Sequence, residues 1–148
     1  MLKRCVIAFT LAAALLSAYP GFAQSTAEAR ERIEALHGNS EGFADSFKLL
    51  TEAMRFGDPV TVANLGAYPL TVNANGESYD IQSEDDMVEN YEKLVMQETQ
   101  NSVAEQTYGD LIVNSDGVGF ANGALWMTAI CDTDDCSVSH WAITSINN

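Results

Sequence analysis

Val118-Gly119-Phe120-Ala121-Asn122-Gly123-Ala124-Leu125-Trp126-Met127-Thr128-Ala129-Ile130 is the stretch on which the fold turns. It reads as one long strand, and glycines 119 and 123 interrupt it as a bulge or bend does where a sheet curves. The strand Tyr108 to Val113 precedes it, joined through the turn Ser115-Asp116-Gly117, and the strand Ser137 to Ile146 follows it. The last third of the chain is therefore expected to form an antiparallel sheet.

Working back from there, the chain is mostly helical. Ser83 caps a helix whose first turn, Glu84-Asp85-Asp86, sets carboxylates at the positive end of the helix dipole. Met87, Tyr91 and Leu94 make its buried stripe, with Val88 and Val95 beside it, and the helix is expected to run on towards Gln106. Before it, Tyr68–Asn73 and Glu77–Ile81 flank Asn75-Gly76, the strongest short-range hairpin signal in the chain. Asp58-Pro59 starts a short helix that ends near Leu65-Gly66. Phe43, Phe47, Leu50 and Met54 share one face of a longer helix that Gly57 stops. Ser25, with Glu28 placed to close a capping box, opens a segment that Gly38 ends. Its apolar positions are only Ile33 and Leu36, so residues 24–39 are expected to be weakly helical and loosely packed. The whole reads as one α+β domain over residues 40–148, helices first and sheet afterwards.

That order resembles the nuclear transport factor two-like superfamily, the cone-shaped α+β roll of ketosteroid isomerases and small polyketide cyclases. The residues that carry the resemblance are Phe43 to Asp58, Tyr68-Pro69-Leu70-Thr71-Val72, Asp86-Met87-Val88-Glu89-Asn90-Tyr91 and Gly117 to Trp126, and it covers about residues 40–146. It implies helices packed on a curved antiparallel sheet, with a pocket in the cone. Enzymes of this fold commonly hold an Asp or an Asp–His pair there, and no such motif matches here residue by residue. The open sheet of the fold often pairs face to face, which implies a homodimer.

Met1-Leu2-Lys3-Arg4, the apolar run Cys5 to Ala18 and Gly21-Phe22-Ala23 before Gln24 have the pattern of a secretory signal peptide over residues 1–23. The apolar run is too short for a good transmembrane span. Its removal takes Cys5 and leaves Cys131 and Cys136, whose four-residue spacing suits a hairpin disulfide. That points to an oxidising compartment, periplasmic or extracellular. Lys3 and Arg4 leave as well, so Arg30, Arg32, Lys48, Arg55 and Lys93 stand against 21 acidic residues, a formal charge of −16. Such a surface repels nucleic acid and anionic lipid and attracts a basic protein.

The chemistry-bearing residues are few. Asp132, Asp134 and Asp135 lie between the cysteines without the spacing of a calcium loop, so they read as solvated turn acids and no metal site is expected. A redox pair is disfavoured, since nothing basic adjoins the cysteines. His37 ends the first helical segment. His140 and Trp141 are neighbours on the last strand and must point to opposite faces. Val138, His140, Ala142 and Ile146 make one face and Ser139, Trp141, Ile143 and Ser145 the other; both are half apolar, so composition does not choose between them. Asp110, Tyr68, Tyr79 and Tyr91 are possible partners for a His140 acid–base pair. Tyr68, Tyr91, Trp126, His140 and Trp141 are the ligand-pocket candidates. No phosphate loop, zinc spacing or nucleophile motif is present, and no cofactor is expected.

The resulting expectation is an exported, non-enzymatic binding module. It would take a small apolar ligand in the cone or a partner protein on its acidic surface, as an inhibitor or immunity protein of a basic cell-wall hydrolase would. The alternatives are a small isomerase, dehydratase or hydrolase, and a structural dimerisation module.

Overall fold

A computed structural model describes residues 24–148; the signal-peptide reading of residues 1–23 lies outside them. The architecture is α+β, with helices packed against a curved, open, mostly antiparallel six-stranded sheet, consistent with a cone-like roll.

Helix α1 spans Thr26–His37 and is closed by the capping box of Ser25 and Glu28. It is held more firmly than its sparse apolar pattern suggests. Ala29 and Ile33 are fully buried, and hydrogen bonds tie the two ends of the segment to the residue before strand β3 (Ile112–Asn114) and to the end of that strand. Gln24 Nε2 donates to the Leu111 carbonyl at 2.8 Å, and His37 Nε2 lies 2.7 Å from the Asn114 carbonyl oxygen. The expectation of loose packing over 24–39 is thus corrected: anchoring by polar side chains replaces the missing apolar stripe.

Helix α2, Ser40–Phe56, ends at Gly57 and buries Phe43, Leu50 and Met54, with Phe47 packed against the same core. Asp58 caps the short α3, Pro59–Asn64, by accepting hydrogen bonds from the Val60 and Thr61 amides. Strands β1 (Gly66–Ala74) and β2 (Glu77–Ile81) form the expected hairpin. Asn75 and Gly76 both take positive φ, as the two-residue turn between strands of normal twist requires. Helix α4, Glu84–Leu94, starts at Ser83 and stops earlier than expected. Val95 and Met96 are extended, and a separate α5 spans Gln97–Ala104. The Val95 carbonyl freed by the break accepts a hydrogen bond from Gln100 Nε2 at 2.9 Å, which stabilises the interruption.

Two strand expectations are corrected. Tyr108 to Val113 is mostly not strand: Tyr108–Asp110 make a 3-10 turn, with Thr107 Oγ1 donating to Asp110 Oδ2 at 2.6 Å, and β3 is only Ile112–Asn114. The long strand Val118 to Ile130 is in fact a hairpin. Strand β4 (Gly117–Phe120) and β5 (Leu125–Cys131) pair antiparallel around Ala121, Asn122 and Gly123, all at positive φ. The Ala121 amide is satisfied by Gln106 Oε1 at 2.7 Å. Gly119 makes room rather than a bend, since a Cβ there would lie 3.1 Å from the Trp126 ring.

Strand β6, Ser139–Asn147, pairs antiparallel with β5 and parallel with β1, giving the order β2-β1-β6-β5-β4-β3. Trp126 faces Ser145 and Met127 faces Ile143, so Thr144 is an extra residue on β6. This bulge reverses the alternation midway and lets Trp141, Ile143 and Ile146 all point inward, where they are buried. They meet Leu70, Val72, Val118, Phe120, Leu125 and Met127 from the sheet and Phe43, Leu50 and Met87 from the helices in one core. The concave side of the roll is packed with side chains.

Cys131 and Cys136 form a disulfide across the tip of the β5–β6 hairpin, with Cα atoms 4.8 Å apart. Closing so small a loop contributes about 2 kcal/mol in the chain-entropy model. The contribution is secondary to the core. Reduction is therefore expected to lower Tm by roughly 5–10 °C while leaving the far-ultraviolet circular dichroism of the fold in place. A reduced form that is unfolded at 25 °C would show that the bond is essential.

Candidate functional site

The five side chains that sequence reasoning assigned to a pocket do not share one opening. His140 lies on the outward side of β6 near the hairpin tip, exposed, with Nδ1 2.6 Å from Asp132 Oδ1. Trp141 points the other way into the core, edge-on to Phe43 at 4.9 Å between ring centroids, and its Nε1 donates to the Asn39 carbonyl at 2.9 Å. The parity that sequence left open is thereby fixed: Trp141 faces inward and His140 outward. Trp126 sits half-buried on the outer face of the sheet, with Nε1 donating to the Gly123 carbonyl at 3.0 Å. Tyr68 is half-buried at the start of β1 and donates its hydroxyl to the Ala63 carbonyl at 2.8 Å.

Tyr91 alone of the five opens onto a cleft of about 760 Å³. This lies on the helical side, where the break between α4 and α5 separates Tyr91 and Val95 from Gln100, and where Gly57 and Pro59 of the α2–α3 turn form the opposite wall. Its volume is within the range of small-ligand sites, roughly 300–1,000 Å³. Glu89 and Glu92, on exposed turns of α4, contribute carboxylates to its lining. Gln100 is buried at 9% exposure; its Nε2 is used by the Val95 carbonyl, while its Oε1 accepts no hydrogen bond from the described residues and faces Gly57. The Tyr91 hydroxyl donates to Met54 Sδ at 3.7 Å.

The two tyrosines are kept as phenols. Burial, and then the Asp58 carboxylate, pushes Tyr91 up to about 12. Burial, followed by Glu84 and Asp86, pushes Tyr68 up to about 12 as well. Neither can serve as a base near neutral pH. In the disulfide loop, Asp135 is held down to about 2, first by the Thr133 hydroxyl and then by the Ser137 amide; it is an exposed, hydrogen-bonded turn carboxylate. Among the described residues no group of three His, Cys, Asp or Glu side chains is arranged to hold a metal ion. The cleft offers acceptors (the Gln100 amide oxygen and the Glu89 and Glu92 carboxylates) beside the Tyr91 phenol and the Lys93 side chain, so acceptors for N–H donors predominate in its lining.

Gln100 was missed by sequence reasoning because it sits in a polar run that looks solvated. The available signal was the weakening of the apolar stripe from Glu98 to Asn101, where α4 has already ended. No helix among the described residues is long and apolar enough to cross a membrane. The chain matches no family model, and comparison with curated proteins and with solved structures gives no match.

Proposed function

We propose that this chain is an exported, non-enzymatic binding module that engages a basic partner protein through its acidic surface, most specifically as an inhibitor or immunity protein of a cationic cell-wall hydrolase. One observation carries the reading: the surface carboxylates are not neutralised from within. Residues 24–148 hold 21 acidic side chains against five basic ones, and among the described residues no Lys or Arg lies within ion-pair distance of a carboxylate, the one such contact being Asp132 with the His140 imidazole. Unpaired surface charge of one sign costs the folded state through self-repulsion and speeds encounter with an opposite charge. The packed concave side of the sheet favours recognition on the surface over a small apolar ligand inside the cone. The Cys131–Cys136 disulfide supports an oxidising compartment, where such a partner would be met.

The test pairs two cationic proteins of similar charge, a lysozyme and cytochrome c, against the immobilised chain. At about 20 mM salt, where the Debye length exceeds 20 Å, the lysozyme is expected to be retained and its lytic activity inhibited at one-to-one stoichiometry; about 0.5 M salt should release it. No retention at low salt overturns the reading. Equal retention of cytochrome c, without inhibition of the lysozyme, would reduce it to unspecific charge attraction.

A further inference from the structure

The face of α2 opposite its core stripe carries two large apolar side chains, Leu49 at 50% and Phe56 at 79% exposure. Val60, the second residue of α3, is 55% exposed. Leu49 and Phe56 border a groove of about 180 Å³ with Glu52, Asp58 and Thr61. Exposed apolar groups gathered in this way, rimmed by polar ones, mark contact surfaces on soluble proteins. The groove and the helical cleft flank the same turn, since Phe56 and Asp58 face the first while Gly57 and Pro59 face the second.

Carboxylates outnumber cations on this surface. Arg55 is drawn away from it, with Nη2 donating to the Ala104 carbonyl at 2.9 Å. Lys93 also lines the cleft, and its ammonium lies over the Tyr79 ring, 4.6 Å from the centroid. Glu52, Glu89 and Glu92 are left without an ion-pair partner among the described residues. Gln100 lines the same cleft as Glu89 and Glu92, and no hydrogen bond among the described residues reaches its Oε1.

We propose that the α2–α3 turn with its two flanking hollows is the docking surface for a basic segment of the partner, arginine-bearing and apolar-anchored. The guanidinium enters the cleft between Glu89 and Glu92 and donates to Gln100 Oε1; an adjoining apolar residue covers Leu49, Phe56 and Val60. A planar group with several fixed donors matches two carboxylates and an amide oxygen better than a single ammonium does. The site rests on the partner-binding reading above and gives it a location.

A short synthetic peptide of alternating arginine and leucine is the probe, followed by amide chemical shifts on the full exported chain. Shifts are expected at Gly57, Glu89 to Glu92 and Gln100. The double variant Glu89→Gln/Glu92→Gln, and separately Leu49→Ser/Phe56→Ser, should each weaken binding about tenfold. Glu31→Gln/Asp134→Asn removes the same charge elsewhere and should change it less than twofold. Thermal melts confirm that each variant is folded; all the positions are exposed. Shifts spread over the whole acidic surface, or equal weakening by the remote pair, overturn the proposal. So does sedimentation in which the chain is dimeric and Leu49→Ser/Phe56→Ser makes it monomeric, which would assign the patch to a second copy. Because the probe is a peptide, the site can fail while lysozyme binding holds, or the reverse.

Discussion

Phe43→Ala is expected to destabilise the domain by about 3–5 kcal/mol, the range for removing a fully buried phenylalanine. The Phe43 side chain is fully buried in the first turns of α2. Its ring centroid lies 4.9 Å from that of Trp141, 5.9 Å from Tyr108, and 6.1 Å from both Phe47 and Phe120. Three of these contacts reach residues far away in sequence, on the 3-10 turn, β4 and β6, so one truncation removes the shared neighbour of helix and sheet. Rings fixed from several sides collapse poorly into a void, which sets the cost towards the upper end. Against a typical total stability of about 5–15 kcal/mol, the loss should lower Tm by roughly 10–20 °C. Phe43→Leu should recover more than half of it. Phe56→Ala, at the other end of the same helix and on its exposed face, should change stability by less than about 0.5 kcal/mol. Equal melting shifts for Phe43→Ala and Phe56→Ala would show that the aromatic cluster is not the centre of the core.

The features legible in the sequence are those written locally. Ser25, Asp58 and Ser83 each accept the capping hydrogen bond their position implied, and Asn75-Gly76 makes its turn. The inward stripe Phe43, Phe47, Leu50 and Met54 reads from spacing alone, and so in principle does the outward pair Leu49 and Phe56. The second hairpin was readable too, because Asn122-Gly123 is the same dipeptide as Asn75-Gly76. It was obscured by apolar residues on both sides that also suit an unbroken strand. The orientation of His140 and Trp141 could not be read, because the extra residue Thr144 breaks the alternation of β6 against its neighbour β5, and counting by twos then puts the inward Ile143 and Ile146 on opposite faces. The cleft is of the same kind. Tyr91 was visible as part of a buried stripe, but its opening depends on where α4 stops, and that depends on a hydrogen bond from Gln100, five residues beyond Val95.

Gly117→Ala is the second large effect expected, at about 3–5 kcal/mol. Gly117 begins β4 with φ at 144°, where a residue with a Cβ is strained by about 1–3 kcal/mol. Space makes the strain worse. A Cβ built there would overlap the Met127 carbonyl oxygen and come within 2.9 Å of Thr128 Oγ1. The first of these is backbone of β5 and cannot rotate away. Thr128 Oγ1 in turn donates to the Asp116 carbonyl at 3.2 Å, which holds the β3–β4 turn down on β5. Relief requires β4 to separate from β5, loosening the pairs Val118–Met127, Gly119–Trp126 and Phe120–Leu125. Val118 and Phe120 are fully buried, so the movement exposes core. Gly76→Ala isolates the backbone contribution, since Gly76 also has positive φ, at 77°, but nothing lies within 4 Å of a Cβ there. It should cost only about 1–2 kcal/mol. Chemical denaturation of both variants gives the comparison, and Trp126 fluorescence reports the strand shift, because its ring rests on Gly119 of the displaced strand. If the two variants unfold at the same denaturant concentration and Trp126 emission is unchanged, β4 and β5 are not held as close together as this packing requires. Strand β5 is also held to β6 by the Cys131–Cys136 staple, so a Gly117→Ala variant that loses cooperativity should lose it from the β3–β4 edge inward, with the β1–β6 half of the sheet the last to exchange its amide hydrogens.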